Sequence, residues 1–142
     1  MNVELTRFRV KEGKSHKVDE WMKLLNDHMG EVLLTLQDEK IYVETIFREV
    51  VQGEEFLYWY HVQGEGGIDV TESEHAIDQK HLEYWDECID VDYTPVDLST
   101  EVVMIPDKVR GVMKLWWIRT EEAQFSRKVS KGRSPSDRRS TI

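Results

Sequence analysis

The chain has one cysteine, Cys88, among its 142 residues. An intramolecular disulfide and an all-cysteine metal site are therefore both excluded, and a reducing, cytoplasmic setting is expected. No apolar run approaches the ~20 residues that a bilayer-crossing helix needs. The opening MNVELTRFRV lacks a basic stretch followed by an apolar one, so no secretory signal is expected there. Metal-ligand spacing is missing as well. There is no H-E-x-x-H and no i, i+4 histidine pair, and His75 and His81 fall on different faces of a helix. Gly64-Glu65-Gly66-Gly67 has no following Lys-Ser/Thr and opens no G-x-G-x-x-G, so it reads as a connection and not a phosphate cradle. Neither a metal nor a bound cofactor is expected.

What is present is charge, unevenly placed. The formal net charge is −9. Residues 114–142 carry eight basic side chains against three acidic ones, leaving residues 1–113 with eleven against 25. An acidic body repels phosphates, so no nucleic-acid role is expected for it. The basic end reads as a solvated, disordered tail, with contact to an anionic partner as the alternative. At 39% hydrophobic residues, the chain has enough for one core in one domain.

Val3, Leu5, Thr6, Phe8 and Val10 predict a first strand. Ser15 is the expected cap of a helix carrying Val18, Trp21, Met22, Leu25, Met29, Val32, Leu33 and Leu36 at steps of three and four, with Gly30 as its weak point. A hairpin follows, with strands over about 41–51 and 55–63 around Gln52-Gly53. A two-residue turn pairs Phe47 with Tyr58, Ile46 with Trp59 and Glu44 with His61. Thr71 to Glu74 reads as a capping box for a second helix, whose buried stripe holds Ile77, His81, Tyr84, Trp85 and Cys88. Glu101 to Ile105 reads as the last strand, stopped by Pro106.

This order predicts an α+β, ferredoxin-like βαββαβ domain over residues 1–106, with both helices on one face of a four-stranded antiparallel sheet. A short docking helix is expected over residues 107–118 and the basic tail over 119–142. The alternative for Trp116-Trp117 is contact with a membrane surface. Phe8 and Val10 are expected to face the helices. That would leave Leu5, Arg7, Arg9, Tyr42, Glu44, Ile46, Arg48, Leu57, Trp59 and His61 on the open face. Such a face calls for a second copy, and a homodimeric barrel enclosing a small-ligand pocket is the expected result.

The opening LTRFRVKEGKSHKVDEWMKLL, the hairpin IYVETIFREVVQGEEFLYWYHV and the helix KHLEYWDECI resemble the dimeric α+β-barrel superfamily, which includes the antibiotic-biosynthesis-type monooxygenases. Residues 1–106 are most similar to a group of small bacterial proteins of unknown function within it. The resemblance implies the fold and the dimer. The monooxygenases of that superfamily use an Asn, Trp and His, but Asn2 and Asn26 do not sit at the matching strand position. Its sugar mutarotases use His and Tyr on the first helix, which here offers His16 and His28 and no tyrosine.

The candidate ligand-binding residues are Arg7, Arg9, Tyr42, Glu44, Arg48, Trp59 and Trp85. Guanidinium groups would hold a ligand carboxylate and the aromatics would stack on a flat ligand. His61, opposite Glu44, and His81, one turn from Trp85, are the candidate acid–base groups. Three functions are in play: a small-ligand-binding barrel, an oxygenase- or isomerase-type enzyme using His61 or His81, and a structural or regulatory dimer without a ligand. A cavity of ~300 Å³ or more favours the first two over the third.

Overall fold

β1 (Asn2–Arg9), with the strand formers Val3, Leu5, Thr6 and Phe8, is one of the two inner strands of the sheet. The computed structural model describes residues 1–67, 69–116, 125 and 129. Met1–Val103 form one unit and Met104–Ile142 a second. In the first unit, β1 is followed by α1 (Ser15–Asp27), α2 (Met29–Glu39), β2 (Ile41–Val51), β3 (Glu54–Gln63), a 3₁₀ turn (Val70–Glu72), α3 (Ala76–Cys88) and β4 (Val96–Asp97). The sheet order is β2-β3-β1-β4 and every pairing is antiparallel. This is the expected ferredoxin-like α+β arrangement, with its first helix broken in two.

The break falls at His28 (φ −110°, ψ 31°), two residues before the expected weak point at Gly30. The side chain of Ser15 does not cap α1. It bonds Arg48 Nη2 at 2.8 Å instead, and Lys14 occupies the cap position. The capping box is also displaced: Asp69 and Glu72 form it around the 3₁₀ turn, and α3 starts only at Ala76.

The hairpin register is the expected one, with Phe47 opposite Tyr58, Ile46 opposite Trp59 and Glu44 opposite His61. Gln52 and Gly53 both take positive φ (52° and 79°), as a two-residue type I′ turn requires.

The assignment of the hairpin faces needs correcting. Phe8 pairs with Leu57, Thr6 with Trp59 and Glu4 with His61. Since Phe8 faces the helices, Leu57, Trp59, His61, Ile46 and Glu44 face them too, and are not on the open side. Leu57 is fully buried and Trp59 is 8% exposed, in one cluster with Val18 and Trp21 of α1 and Cys88 of α3. The outer face instead carries Leu5, Arg7, Val43, Phe47, Tyr58 and Tyr60. Both faces of the hairpin are rich in apolar and aromatic residues, so alternation alone could not tell them apart. Pairing with β1 does.

The last strand also moves. Residues 101–105 lie in no strand, and the two-residue β4 pairs with Thr6 and Arg7. Leu98 N then reaches Leu5 O at 2.9 Å, and Thr100 Oγ1 reaches Val3 O at 2.9 Å. At this register residue 101 comes level with Asn2, where β1 begins, so the pairing with β1 ends as the apolar run EVVMI starts.

In the second unit, residues 107–116 are helical. Trp117, Ile118 and the basic tail over 119–142, apart from Phe125 and Val129, lie outside the described residues. Among the described residues no helix is long and apolar enough to cross a membrane.

Candidate cavity site

A cavity of about 760 Å³ lies between the helix-facing side of the sheet and the three helices of the first unit. Glu44, Ile46, Trp59 and His61 come to it from the hairpin and Glu4 and Thr6 from β1. Met22 and Leu25 of α1, Leu36 and Glu39 of α2, and Asp78, His81 and Trp85 of α3 close it. Strand alternation explains the hairpin set, since Glu44/Ile46 and Trp59/His61 are each two residues apart. Helical spacing explains the α3 set, with His81 three residues beyond Asp78 and Trp85 four beyond His81.

The expected candidates therefore separate. Glu44, Trp59, His61, His81 and Trp85 meet in one cavity. Arg7 lies on the opposite face of the sheet, where its Nε donates to Tyr93 Oη at 2.9 Å and its guanidinium stands 5.2 Å from the centre of the Phe56 ring. Arg9 pairs with Glu54 at 3.4 Å and with Asp90 at 3.7 Å. Arg48 pairs with Asp19 and Glu55 beside the start of α1. None of these arginines lines the cavity, nor does Tyr42, which sits at a β-bulge between Ile41 and Val43. The arginine cluster around Glu44 expected for a ligand carboxylate does not form, because Glu44 and Arg7 occupy opposite faces and the other two are engaged at the strand ends.

Three aromatic rings of the wall stand edge to face. Phe8 and Trp85 are 4.6 Å apart between centres, Trp59 and Trp85 5.2 Å, and Phe8 and Trp59 6.3 Å. Trp59 Nε1 donates to Glu44 Oε1 at 2.6 Å. Burial pushes the Glu44 carboxyl above its ordinary range, and Asp78 adds to that, while the Trp59 N–H and His61 oppose it. Glu39 is pushed up to about 8, first by burial and then by repulsion from Glu44, Asp78, Asp69 and Asp38. It therefore keeps its proton at neutral pH, and as a carboxylic acid it offers the cavity a donor as well as an acceptor.

His81 has a defined tautomer. Trp21 Nε1 donates to His81 Nδ1 at 2.9 Å. An indole N–H can only donate, so Nδ1 accepts and Nε2 carries the proton. Burial lowers the His81 pKa, with Asp78 opposing. The ring is thus a neutral donor, and its only basic nitrogen is occupied by Trp21. His61 Nε2 lies 3.2 Å from Glu4 Oε2, but the pair is not aligned for a hydrogen bond and that nitrogen is buried without a partner. Asp78, 5% exposed, likewise has an Oδ2 that is buried and unpartnered.

Sequence reasoning missed Glu39 and Asp78. Asp78 carried a usable signal, since it sits one turn before His81 beside the buried Ile77. Glu39 carried a weaker one, three residues after Leu36 on the same stripe. Among the described residues no three His, Cys, Asp or Glu side chains converge closely enough to hold a metal ion.

The crystal structure of an L-rhamnose mutarotase from Formosa agariphila is similar to this chain at 17% identity and a TM-score of 0.46, covering 75% of this chain and 100% of that one. No curated protein matches the chain. The model of a family of unknown function (DUF6176) matches residues 1–111, and the chain belongs to that family.

Proposed function

We propose that this domain binds a small organic ligand in the cavity between its helices and its sheet. The observation that carries the reading is a partly open cavity of about 760 Å³ whose wall includes Asp78, buried with an unpartnered oxygen. The volume lies within the ~300–1,000 Å³ of small-molecule sites. Buried polar groups are normally bonded, so the unpartnered oxygen of Asp78 beside a cavity of this size calls for a donor. Trp59 and Trp85 supply apolar wall, and Glu39, Glu44 and His81 supply fixed hydrogen-bonding groups. Cys88, single and buried, fits a cytoplasmic setting. Native mass spectrometry of protein purified from its own host tests the reading. The expected result is a retained organic molecule that Trp59→Ala loses. A cavity that carries nothing, and in which no member of a fragment set of mixed charge shifts the Trp59 or Trp85 indole N–H resonance, would overturn it.

The outer face favours a second reading, a homodimer closed sheet against sheet. Phe47 is 55% exposed there, in line with Tyr58 and Arg7, and Val43 is also exposed. Exposed apolar surface of this kind is stabilised by a self-complementary partner. Sedimentation is expected to give a dimer that Phe47→Asp converts to monomer. A wild-type monomer at tens of micromolar would remove the reading without touching the cavity, which is built within one subunit.

A further inference from the structure

We propose that the cavity selects an organic ammonium ion, whose charged nitrogen is received by Asp78 and Glu44 while its carbon skeleton lies against Phe8, Trp59 and Trp85. This rests on the ligand-binding reading above and names its ligand class.

The charge inventory of the wall comes first. Glu4, Glu39, Glu44, Asp69 and Asp78 line the cavity, and no lysine or arginine does among the described residues. The nearby arginines are committed elsewhere, Arg7 to Tyr93 and Arg48 to Asp19 and Glu55. Glu39 holds its proton and His81 is a donor, but Glu4, Glu44, Asp69 and Asp78 leave the formal charge of the wall negative, which disfavours an anionic ligand.

The second, independent observation is Asp78. It is 5% exposed and lines the cavity, yet its Oδ2 has no hydrogen-bond donor. A buried carboxylate oxygen without a donor is costly, and the cheapest remedy is a ligand N–H or O–H. Glu44 has one oxygen, Oε1, engaged by Trp59 Nε1. A carboxylate accepts at both oxygens, so Oε2 has capacity for the ligand as well.

A neutral polyol would satisfy these acceptors but leave the excess negative charge in place. An ammonium ion satisfies both, and it gains from aromatic rings beside it. Glu39 and Glu44 are displaced upward first by burial, with neighbouring acids adding to it. A metal ion is the poorer fit, because no three donors of the described residues converge on a point.

The test uses three probes of one shape: 2-phenylethylammonium, 2-phenylethanol and 3-phenylpropionate. Each is titrated into the full chain while the indole N–H signals of Trp59 and Trp85 are followed by NMR. The ammonium is expected to bind about tenfold or more tighter than the alcohol, and the carboxylate to cause no shift, in keeping with a desolvated charge-assisted hydrogen bond. Asp78→Asn keeps the side-chain shape and removes the charge. It is expected to bring ammonium and alcohol within about twofold of each other, chiefly by weakening the ammonium. Glu44→Gln, which keeps an acceptor for Trp59, provides the same comparison if Asp78→Asn melts early.

Alcohol binding as tight as ammonium in the wild type would overturn the inference and leave the ligand-binding reading standing. An ammonium preference that survives both substitutions would overturn the assignment to these carboxylates. Silence from all three probes would overturn the inference at this site, and the host-purified protein then decides the broader reading separately.

Discussion

Glu39→Gln is expected to stabilise the protein by about 1–2 kcal/mol at pH 7, after solvent screening of a carboxyl that faces a partly open cavity, and to leave it nearly unchanged at pH 4. Glu39 is buried at the end of α2, and its carboxyl is pushed up to about 8 from the ordinary 4.5. Below pH 4.5 both the folded and the unfolded chain hold the proton, so ionisation makes no difference to stability. Between 4.5 and about 8 the unfolded chain has released its proton while the folded chain retains it. Folding then takes up a proton, and stability falls as pH rises through that window. Above about 8 both states are ionised and the loss is complete. Glutamine carries no ionisable proton, keeps the shape and removes the whole effect. Urea unfolding of both proteins at pH 4, 5.5, 7 and 8.5 reads it directly. The difference between the two curves should open with pH and then level off. Curves that run parallel across the range would show that Glu39 is not held protonated in the fold.

Trp21→Phe is expected to cost about 2–3 kcal/mol and to change the protonation of a ring on another helix. Trp21 is fully buried at the centre of the core, and its Nε1 donates to His81 Nδ1. Phenylalanine leaves a void and strips Nδ1 of its donor. In the wild type His81 is held as the Nε2–H tautomer, and burial lowers its pKa. Without the indole N–H, Nδ1 is open to a proton and the His81 pKa rises. Nitrogen-detected NMR of the imidazole should show one fixed tautomer in the wild type on descending from pH 7 to 5.5. In the variant it should show a titration shifted toward the ordinary histidine range. Identical imidazole spectra in the two proteins would sink the argument that Trp21 fixes the tautomer, whatever the loss in stability. The cost in stability alone would not distinguish it from an ordinary large-to-small substitution, so the imidazole signal carries the prediction.

The hairpin shows where the reading of the chain held and where it broke. Its register followed from a two-residue turn at Gln52-Gly53, because turn length fixes strand pairing locally. Its faces did not follow. Ile46, Leu57 and Trp59 alternate with Phe47, Tyr58 and Tyr60, and either set could serve as core. The dense aromatic sequence that gave the impression of an open greasy face is the same sequence that fills the helix-covered one. Cross-strand pairing of Trp59 with Thr6 and of Leu57 with Phe8 settled the matter. With that pairing Glu44, Trp59 and His61 line the cavity on the helix side of the sheet.

The arginines stand apart from the cavity for a related reason. Arg7 and Arg9 lie on the outer face of β1, whereas Glu44 and Arg48 lie on the helix-facing side of β2, with Arg48 held at its far end. Of the candidate site, the sequence made legible those members whose chemistry is conspicuous: Glu44, Trp59, His61, His81 and Trp85. Glu39 and Asp78 are ordinary helix acids until the surrounding packing withdraws their water. Their neighbours along the chain, Ile77 and His81 for Asp78 and Leu36 for Glu39, hint at it and do not decide it, because burial of a particular carboxylate depends on which element lies over it.

By itself, the order of apolar periods and turn residues determined the element sequence, the four-stranded antiparallel sheet and the hairpin register. All of these are set by local geometry and by the two periods, 2 and 3.6, that the backbone imposes. Which side of the sheet the helices cover, where the last strand ends, which carboxylates lose their solvent and which nitrogen of His81 holds its proton were decided only by tertiary structure. Each depends on contact between residues distant along the chain, and no local period encodes which of two equally apolar surfaces will meet them.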